Sequence, residues 1–408
     1  MSDKSVLKFD SNNPDFHYLL AFYRAGLKRD IVPFWLKYAI DREYGGISTC
    51  ISDSGNILSY DKYMWSQLRA IWTFSALYNY IEKNEEWLDI ARNIFEFVRK
   101  YGRDNKGNWL YSTLRDGKPH TGATSIYSDG FAISGFTELA RATGDKRAKD
   151  LAIETYENIK DRLEMPGSYQ TEPLVIPKGW IAHGISMIFS KVFFDLGNFL
   201  NDNSIREKGL KHAEKVMTVF LSPEKRKLFE FARTDNTLVD SPPGKTVVPG
   251  HALESMWFML HIYSQINNSN RINQAIECIR WNMEAGWDNE FDGLFFALDA
   301  KGSFWEEKWD TKIWWVHSEA IYALLLAYSI CGEYWCLDWY EKVHSYTFSH
   351  YPVPVYGEWY QRLDRKGNHI GNISDLPVKD PYHVVRAFIN CINCLEKITG
   401  MSNSDRRL

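Results

Sequence analysis

Apolar helical stretches recur along this chain at a nearly fixed interval, beginning near residues 61, 126, 183, 249, 312 and 381, about 57 to 70 residues apart. Each follows an amphipathic stretch. The periodicity predicts twelve helices, over 14–29, 61–83, 85–101, 126–143, 146–164, 183–200, 203–221, 249–266, 269–286, 312–331, 334–348 and 381–398. The segment 30–40, with Pro33, extends the first of them past a proline kink. Ile313-Trp314-Trp315-Val316 and the run from Ala320 to Leu326 are apolar nearly all round, the pattern of a helix buried on both sides. The amphipathic members, such as Ser204 to His212, suit an outer ring. Six hairpins, each an amphipathic helix followed by an apolar one, describe an all-α (α/α)6 toroid. No linker interrupts the repeat, so 1–408 reads as one domain.

The stretches leading into the apolar helices carry a second repeat. Tyr44-Gly45-Gly46-Ile47 precedes Asp53-Ser54-Gly55-Asn56, and Gly107 to Tyr111 precedes Arg115-Asp116-Gly117. Asp292 to Phe296 precedes Asp299 to Gly302, and Tyr356 to Tyr360 precedes Asp364 to Gly367. Each reads as a strand, a tight glycine turn and a return strand. These hairpins should crowd the end of the ring where the inner helices begin, and make that end the mouth.

Reactive side chains gather at the same ends. His251 and Glu254 share a helix face, as do Trp315 and Glu319, His383 and Arg386, and Trp65 and Arg69, whereas His317 points elsewhere. Any one of these is an ordinary structural residue. Four inner helices each delivering polar groups at one depth into an apolar ring is harder to explain without a pocket, because buried charge is costly. Two histidines on opposite walls suit proton transfer on both faces of one carbon. Metal binding is the competing use, but no H-x-x-x-H or H-x-H pair occurs, and the expectation is no metal. Phosphate-cradling glycine motifs are absent.

Aromatic residues make up 15% of the chain, which fits rings stacking on sugars and equally a core rich in aromatics. A formal charge of −4 argues against nucleic acid or an anionic membrane as partner. Cys391 and Cys394 lie in an apolar helical run and read as buried thiols rather than a redox pair. With no apolar run near 18 residues, and no signal-peptide pattern at Met1 to Ser5, the expectation is a cytoplasmic protein.

The ordered set of motifs resembles the N-acylglucosamine 2-epimerase family. It comprises Lys62-Tyr63-x-Trp65-x-Gln67-x-Arg69-x-x-Trp72, Pro249-Gly250-His251-x-Leu253-Glu254, Gly286-Trp287-Asp288 with Gly293-Leu294-Phe295, Trp314-Trp315-x-His317-Ser318-Glu319-Ala320, Tyr356-Gly357-Glu358-Trp359 and Tyr382-His383-x-x-Arg386. The resemblance implies the same toroid. It matches His251 and His383 to the paired acid/base histidines, Arg69 to the basic residue over the substrate oxygens, and Glu254 and Glu319 to carboxylates assisting them. Trp315 would stack on the sugar. Acetamido-sugar members often carry arginine shortly before an Asn-Pro-Gly-His run; here Lys245 and Val248 stand in those places, and the stretch from Pro177 to His183 has no clean counterpart. The expected substrate-binding set is Trp65, Trp315, Arg386, Lys245 and His183.

The resemblance implies a sugar 2-epimerase that needs no cofactor, with ATP as an allosteric or structural ligand, working as a homodimer. N-acetylglucosamine and N-acetylmannosamine are the expected pair. An aldose–ketose isomerase, or a 2-epimerase, on a non-acetylated sugar of the mannose, glucose or fructose type is the first alternative. An inverting glycoside hydrolase using Glu254 and Glu319 is the alternative from another class.

Overall fold

The computed structural model describes residues 9–165, 167–303, 305–371 and 378–401; the N-terminal stretch Met1 to Ser5 lies outside them. Helices dominate: α1 (Phe16–Gly26), α2 (Val32–Tyr38), α3 (Met64–Tyr80), α4 (Glu85–Tyr101), α5 (Ile126–Thr143), α6 (Lys146–Ile159), α7 (His183–Leu200), α8 (Asn203–Lys215), α9 (Pro249–Gln265), α10 (Ser269–Gly286), α11 (Trp314–Cys331), α12 (Tyr334–His350) and α13 (His383–Ile398). The expected proline kink is instead a π-helical turn, Leu27–Ile31, joining α1 to α2. Pro33 sits in the first turn of α2, where its missing N–H costs little.

The inner ring closes on itself. α3 packs on α5, α5 on α7, α7 on α9, α9 on α11 and α11 on α13, and α13 returns to α3. Each inner helix pairs with the outer helix that follows it, α3 with α4 through α11 with α12, while α1 covers α13. The hairpins are therefore shifted by one helix from the sequence reading, which paired each inner helix with its predecessor. Connection length decides this: the inner-to-outer turns are short, such as Gly144-Asp145 and Gly332-Glu333, and force antiparallel neighbours. One apolar core runs continuously from Phe9 to Leu395. No helix among the described residues is long and apolar enough to cross a membrane.

The two helix sets begin differently. Outer helices other than α12 start on side-chain caps: Asn84 accepts from Glu86 N–H, Asp145 from Arg147, Asp202 from Ser204 and Asn268 from Arg271. Inner helices lack such caps, and backbone carbonyls of the linking segments take their leading N–H groups. Met64 N–H donates to Tyr111 at 2.9 Å, His183 to Glu230 at 2.9 Å and Trp314 to Gln361 at 3.2 Å. The links thus cap the ring at its mouth.

The strands within the links are short. β1 (Lys62–Tyr63), β2 (Ser112–Thr113) and β3 (Pro119–Thr121) form one antiparallel sheet. β4 (Trp180–Ala182) pairs with β7 (Phe231–Arg233), β5 (Leu221–Ser222) with β6 (Lys227–Leu228), and β8 (Lys312–Ile313) with β9 (Arg362–Leu363). The expected turns are present, with Gly55, Gly117 and Gly367 at φ of 83, 88 and 86°. Much of the strand pairing, however, runs between successive links rather than within one.

Buried ion groups brace those crossings. Lys62 donates to Asp41 at 3.1 Å while Arg115, from the next link, grips both Asp41 oxygens at 3.0 and 3.1 Å. The same arrangement recurs around Asp288, with Lys312 at 3.2 Å and Arg365 at 2.9 and 3.2 Å. Burial pushes both aspartates up, yet these hydrogen bonds override it and hold each carboxyl at about 2.

Candidate active site

The first turns of the inner helices bring two polar groups together around one indole. Trp315, half-buried on α11, has its ring 5.1 Å from that of His251 on α9 and 5.7 Å from that of His383 on α13. Gly250 makes this possible. A Cβ there would stand 2.5 Å from the Trp315 ring, so the glycine of the Pro-Gly-His motif serves close approach of the indole rather than a turn before the helix.

His251 and His383 are held in different states. The Nδ1 of His251 lies 3.1 Å from each oxygen of Glu230, a carboxylate buried just before β7. Burial pushes His251 down, but Glu230, with Glu254 and Glu319 behind it, raises it above its ordinary value. Burial pushes Glu230 up, and His251 and His183 overcome that to hold it at about 2. The carboxylate thus favours the protonated form of His251, which remains 24% exposed. The Nδ1 of His383 instead donates to Glu319 at 2.8 Å. Burial and the neighbouring Arg69 and Arg386 push His383 down to about 3, against the pull of Glu254 and Asp380. It is a neutral imidazole whose Nε2 carries the lone pair, with Asp380 at 3.7 Å.

Beneath lies a buried layer organised by Arg386. Its Nη2 donates to Glu254 and, at 2.7 Å, to Glu319, and its Nη1 donates to the Tyr382 hydroxyl at 3.1 Å. Glu319 also accepts from the indole N–H of Trp257 at 2.7 Å. Arg69 lies on the other side of His383. It donates to Asp380 at 2.7 Å, and its guanidinium sits 4.0 Å from the Phe131 ring and 5.0 Å from the Trp65 ring.

Most of the residues expected from sequence therefore meet: His251, His383, Arg69, Glu254, Glu319, Trp65, Trp315 and Arg386. His183 adjoins them, its Nε2 3.0 Å from Ser255 Oγ and its Nδ1 3.8 Å from Glu230. Lys245 does not. It is half exposed and pairs with Asp240 at 3.1 Å, because the link carrying it runs along the outside of the mouth. Glu254 and Arg386 are buried and bond each other. His317 is fully buried, accepting from Leu294 N–H at 3.0 Å, as a structural residue would.

Sequence reasoning missed Glu230, Asp380 and Trp257. The signal for Glu230 was a single carboxylate inside an apolar run, Leu228-Phe229-Glu230-Phe231. The Tyr-Gly-Glu-Trp motif also gains a cause: Glu358 is 2.9 Å from the buried Lys379, which also bonds Asp53 at 2.7 Å and so fixes the neighbouring Asp380.

Two triads, His183–Glu230–His251 and Glu254–Glu319–His383, have donor atoms within 4.8 Å of one another and could each hold a metal ion. In the second, Arg386 already supplies a cation. The same closeness removes the hydrolase alternative. An inverting carboxylate pair stands about 6.5–9.5 Å apart to admit water, whereas Glu254 and Glu319 share one nitrogen of Arg386.

Residues 45–387 match the family of N-acylglucosamine 2-epimerase (GlcNAc 2-epimerase). The chain belongs to that family. It is 30% identical over 396 residues to the N-acylglucosamine 2-epimerase of Mus musculus, covering 91% of this chain and 89% of that one. It is 25% identical over 408 residues to the cellobiose 2-epimerase of Dictyoglomus turgidum, covering 91% and 97% of the two chains. The structure of cellobiose 2-epimerase from Bacillus thermoamylovorans B4167 aligns with a TM-score of 0.82 at 18% identity, over 92% of this chain and 99% of that one, and shares the toroidal fold. This epimerase family member is thus a carbohydrate isomerase.

Proposed function

We propose that the chain is a cofactor-independent 2-epimerase interconverting N-acetyl-D-glucosamine and N-acetyl-D-mannosamine. The observation carrying this reading is the pair of histidines set against one indole, in surroundings that push His251 up and His383 down. Environments that push two titratable groups apart assign the acid and the base. The names of the mammalian relatives support the acetamido sugar.

C2–H is acidic only beside a carbonyl, so the sugar reacts in its open form. Neutral His383 takes the C2 proton on Nε2; the C–H electron pair becomes the C1–C2 double bond, and charge passes to O1. Arg69 neutralises that enediolate. After rotation within the intermediate, the Nε2–H of His251 returns a proton to the opposite face of C2. Exchange with water then resets both rings. Glu230 and Glu319 hold the imidazoles, and Glu254 acts through Arg386. No electron or group transfer occurs, so the reaction as proposed requires neither cofactor nor metal, and ATP would act away from the proton transfers. The proposal includes a single catalytic domain working as a cytoplasmic homodimer.

Turnover in deuterated water followed by NMR tests this. The expected result is deuterium at C2 of the product epimer without any ketose. A ketose product would make the protein an aldose–ketose isomerase, and no incorporation from any sugar, acetylated or plain, would end the reading.

A further inference from the structure

A second cavity, of about 270 Å³, lies on the ring axis below Arg386. Its lining starts at Tyr382, just before α13, and otherwise lies one turn or more into α3, α5, α7, α9 and α13; neither His251, His383, Trp315 nor Arg69 borders it. That volume falls just under the roughly 300–1,000 Å³ of drug-sized pockets, the scale of a single sugar ring.

Its lining is chemically selective. Trp72, Trp257 and Phe258 supply flat apolar walls. Ser134, Asn390 and Asn393 face it from α5 and α13 with no side-chain hydrogen bond among the described residues. The Nε of Arg386, a side chain 3% exposed, is buried without a partner among the described residues. Ser134, Asn390 and Asn393 are partly exposed, so the buried donor left open is Arg386 Nε, and it asks for a hydrogen-bonding ligand. The charges, in contrast, are spent: Arg141 pairs with Glu138, Lys191 with Asp195, and Arg386 with Glu254 and Glu319. A phosphate or carboxylate entering here would find no unclaimed cation.

We infer that this axial cavity binds a neutral polyhydroxylated molecule of monosaccharide size, separate from the reacting sugar, and that Arg386 passes its presence to the catalytic layer. A ligand oxygen accepting from Nε would polarise the same guanidinium that positions Glu254 and Glu319. Glu319 in turn holds His383. Binding stands by itself, whereas the coupling rests on the epimerase reading above.

Methyl N-acetyl-β-D-glucosaminide is the probe, since a blocked anomeric centre cannot open and react. Calorimetric titration of the full chain should show two molecules bound per chain. Asn393→Leu and Ser134→Leu, which fill the cavity from different helices, should each show one, with cooperative thermal unfolding retained. One site in the wild type, or two in both variants, overturns the proposal. ATP binding that is lost in both variants overturns its neutral-ligand part. At saturating substrate the probe should change kcat by roughly fivefold, the low end of ordinary coupling, in wild type and not in Asn393→Leu. Two binding sites with an unchanged kcat overturn the coupling through Arg386. If the sugar shows no C2 exchange at all, the epimerase reading fails while the site count still decides the cavity.

Discussion

The Nδ1 of His251 lies 3.1 Å from both carboxylate oxygens of Glu230. Burial alone would pull this histidine down, so its raised value depends on that carboxylate. The pair stabilises the fold fully below the ordinary histidine value of about 6.5, and this contribution is lost as pH rises through the raised value. Glu230→Gln should therefore move the alkaline limb of kcat/KM toward acid and, along the falling part of that limb, lower the rate about tenfold for each unit moved. Measured pH–rate profiles check this. An unmoved limb would mean that Glu230 is merely structural.

His383 and His251 reach C2 from opposite faces in the proposed reaction, so removing one should not silence both. His383→Asn should reduce net epimerisation about 10²- to 10⁴-fold. Exchange of the C2 proton with deuterated water should survive for the epimer that His251 serves and vanish for the other. Loss of exchange from both epimers alike would count against a division of labour by face.

How far the sequence reaches is clear from particular residues. The inner helices were legible because a run such as α11 is apolar on nearly every side over 18 residues, too long for a strand. Hairpin pairing was not, since periodicity carries no information on which neighbour an amphipathic face meets; turn length, as at Gly332-Glu333, decides it. His251, His383 and Trp315 were visible as reactive groups at helix starts. Glu230 was not, because it reaches His251 only through the β4–β7 pairing that sets it beside His183. Lys245 failed for the converse reason: its place in a motif says nothing about which side of a link faces water.

Gly250→Ala offers a test of how tightly the indole is seated. The new methyl would stand 2.5 Å from Trp315 Cζ3 and 2.8 Å from Val316 Cγ2. Overpacking of this kind costs roughly 1–3 kcal/mol. Because the displaced ring separates the two histidines, activity should fall further than stability. Thermal unfolding and kcat/KM measured side by side check this, and an unchanged kcat/KM would show that the indole position is not critical.

Lys379 is fully buried between Asp53, at 2.7 Å, and Glu358, at 2.9 Å. Lys379→Met should lose about 3–5 kcal/mol, because two buried carboxylates are left without their cation. Adding Asp53→Asn and Glu358→Gln to the same chain should restore part of that loss. Urea unfolding midpoints report both steps. Equal midpoints for the single and triple variants would contradict the pairing.

His344 on α12 is 2% exposed, and both ring nitrogens lack a hydrogen-bond partner among the described residues. Its neighbours are rings: Phe348 at 4.5 Å, Phe22 at 5.3 Å and Tyr340 at 5.5 Å between centroids. Burial pushes it down to about 3, so the folded chain keeps it neutral while the unfolded chain protonates it near 6.5. Stability from this group is complete above the unfolded value and drains away as pH falls from about 6.5 toward 3. A buried polar group with no partner costs about 1–3 kcal/mol, and phenylalanine keeps the ring without the nitrogens. His344→Phe should therefore raise the melting temperature at pH 7 and raise it more at pH 5. A variant less stable than wild type at both values would show that the imidazole has a partner or a fit that phenylalanine cannot reproduce.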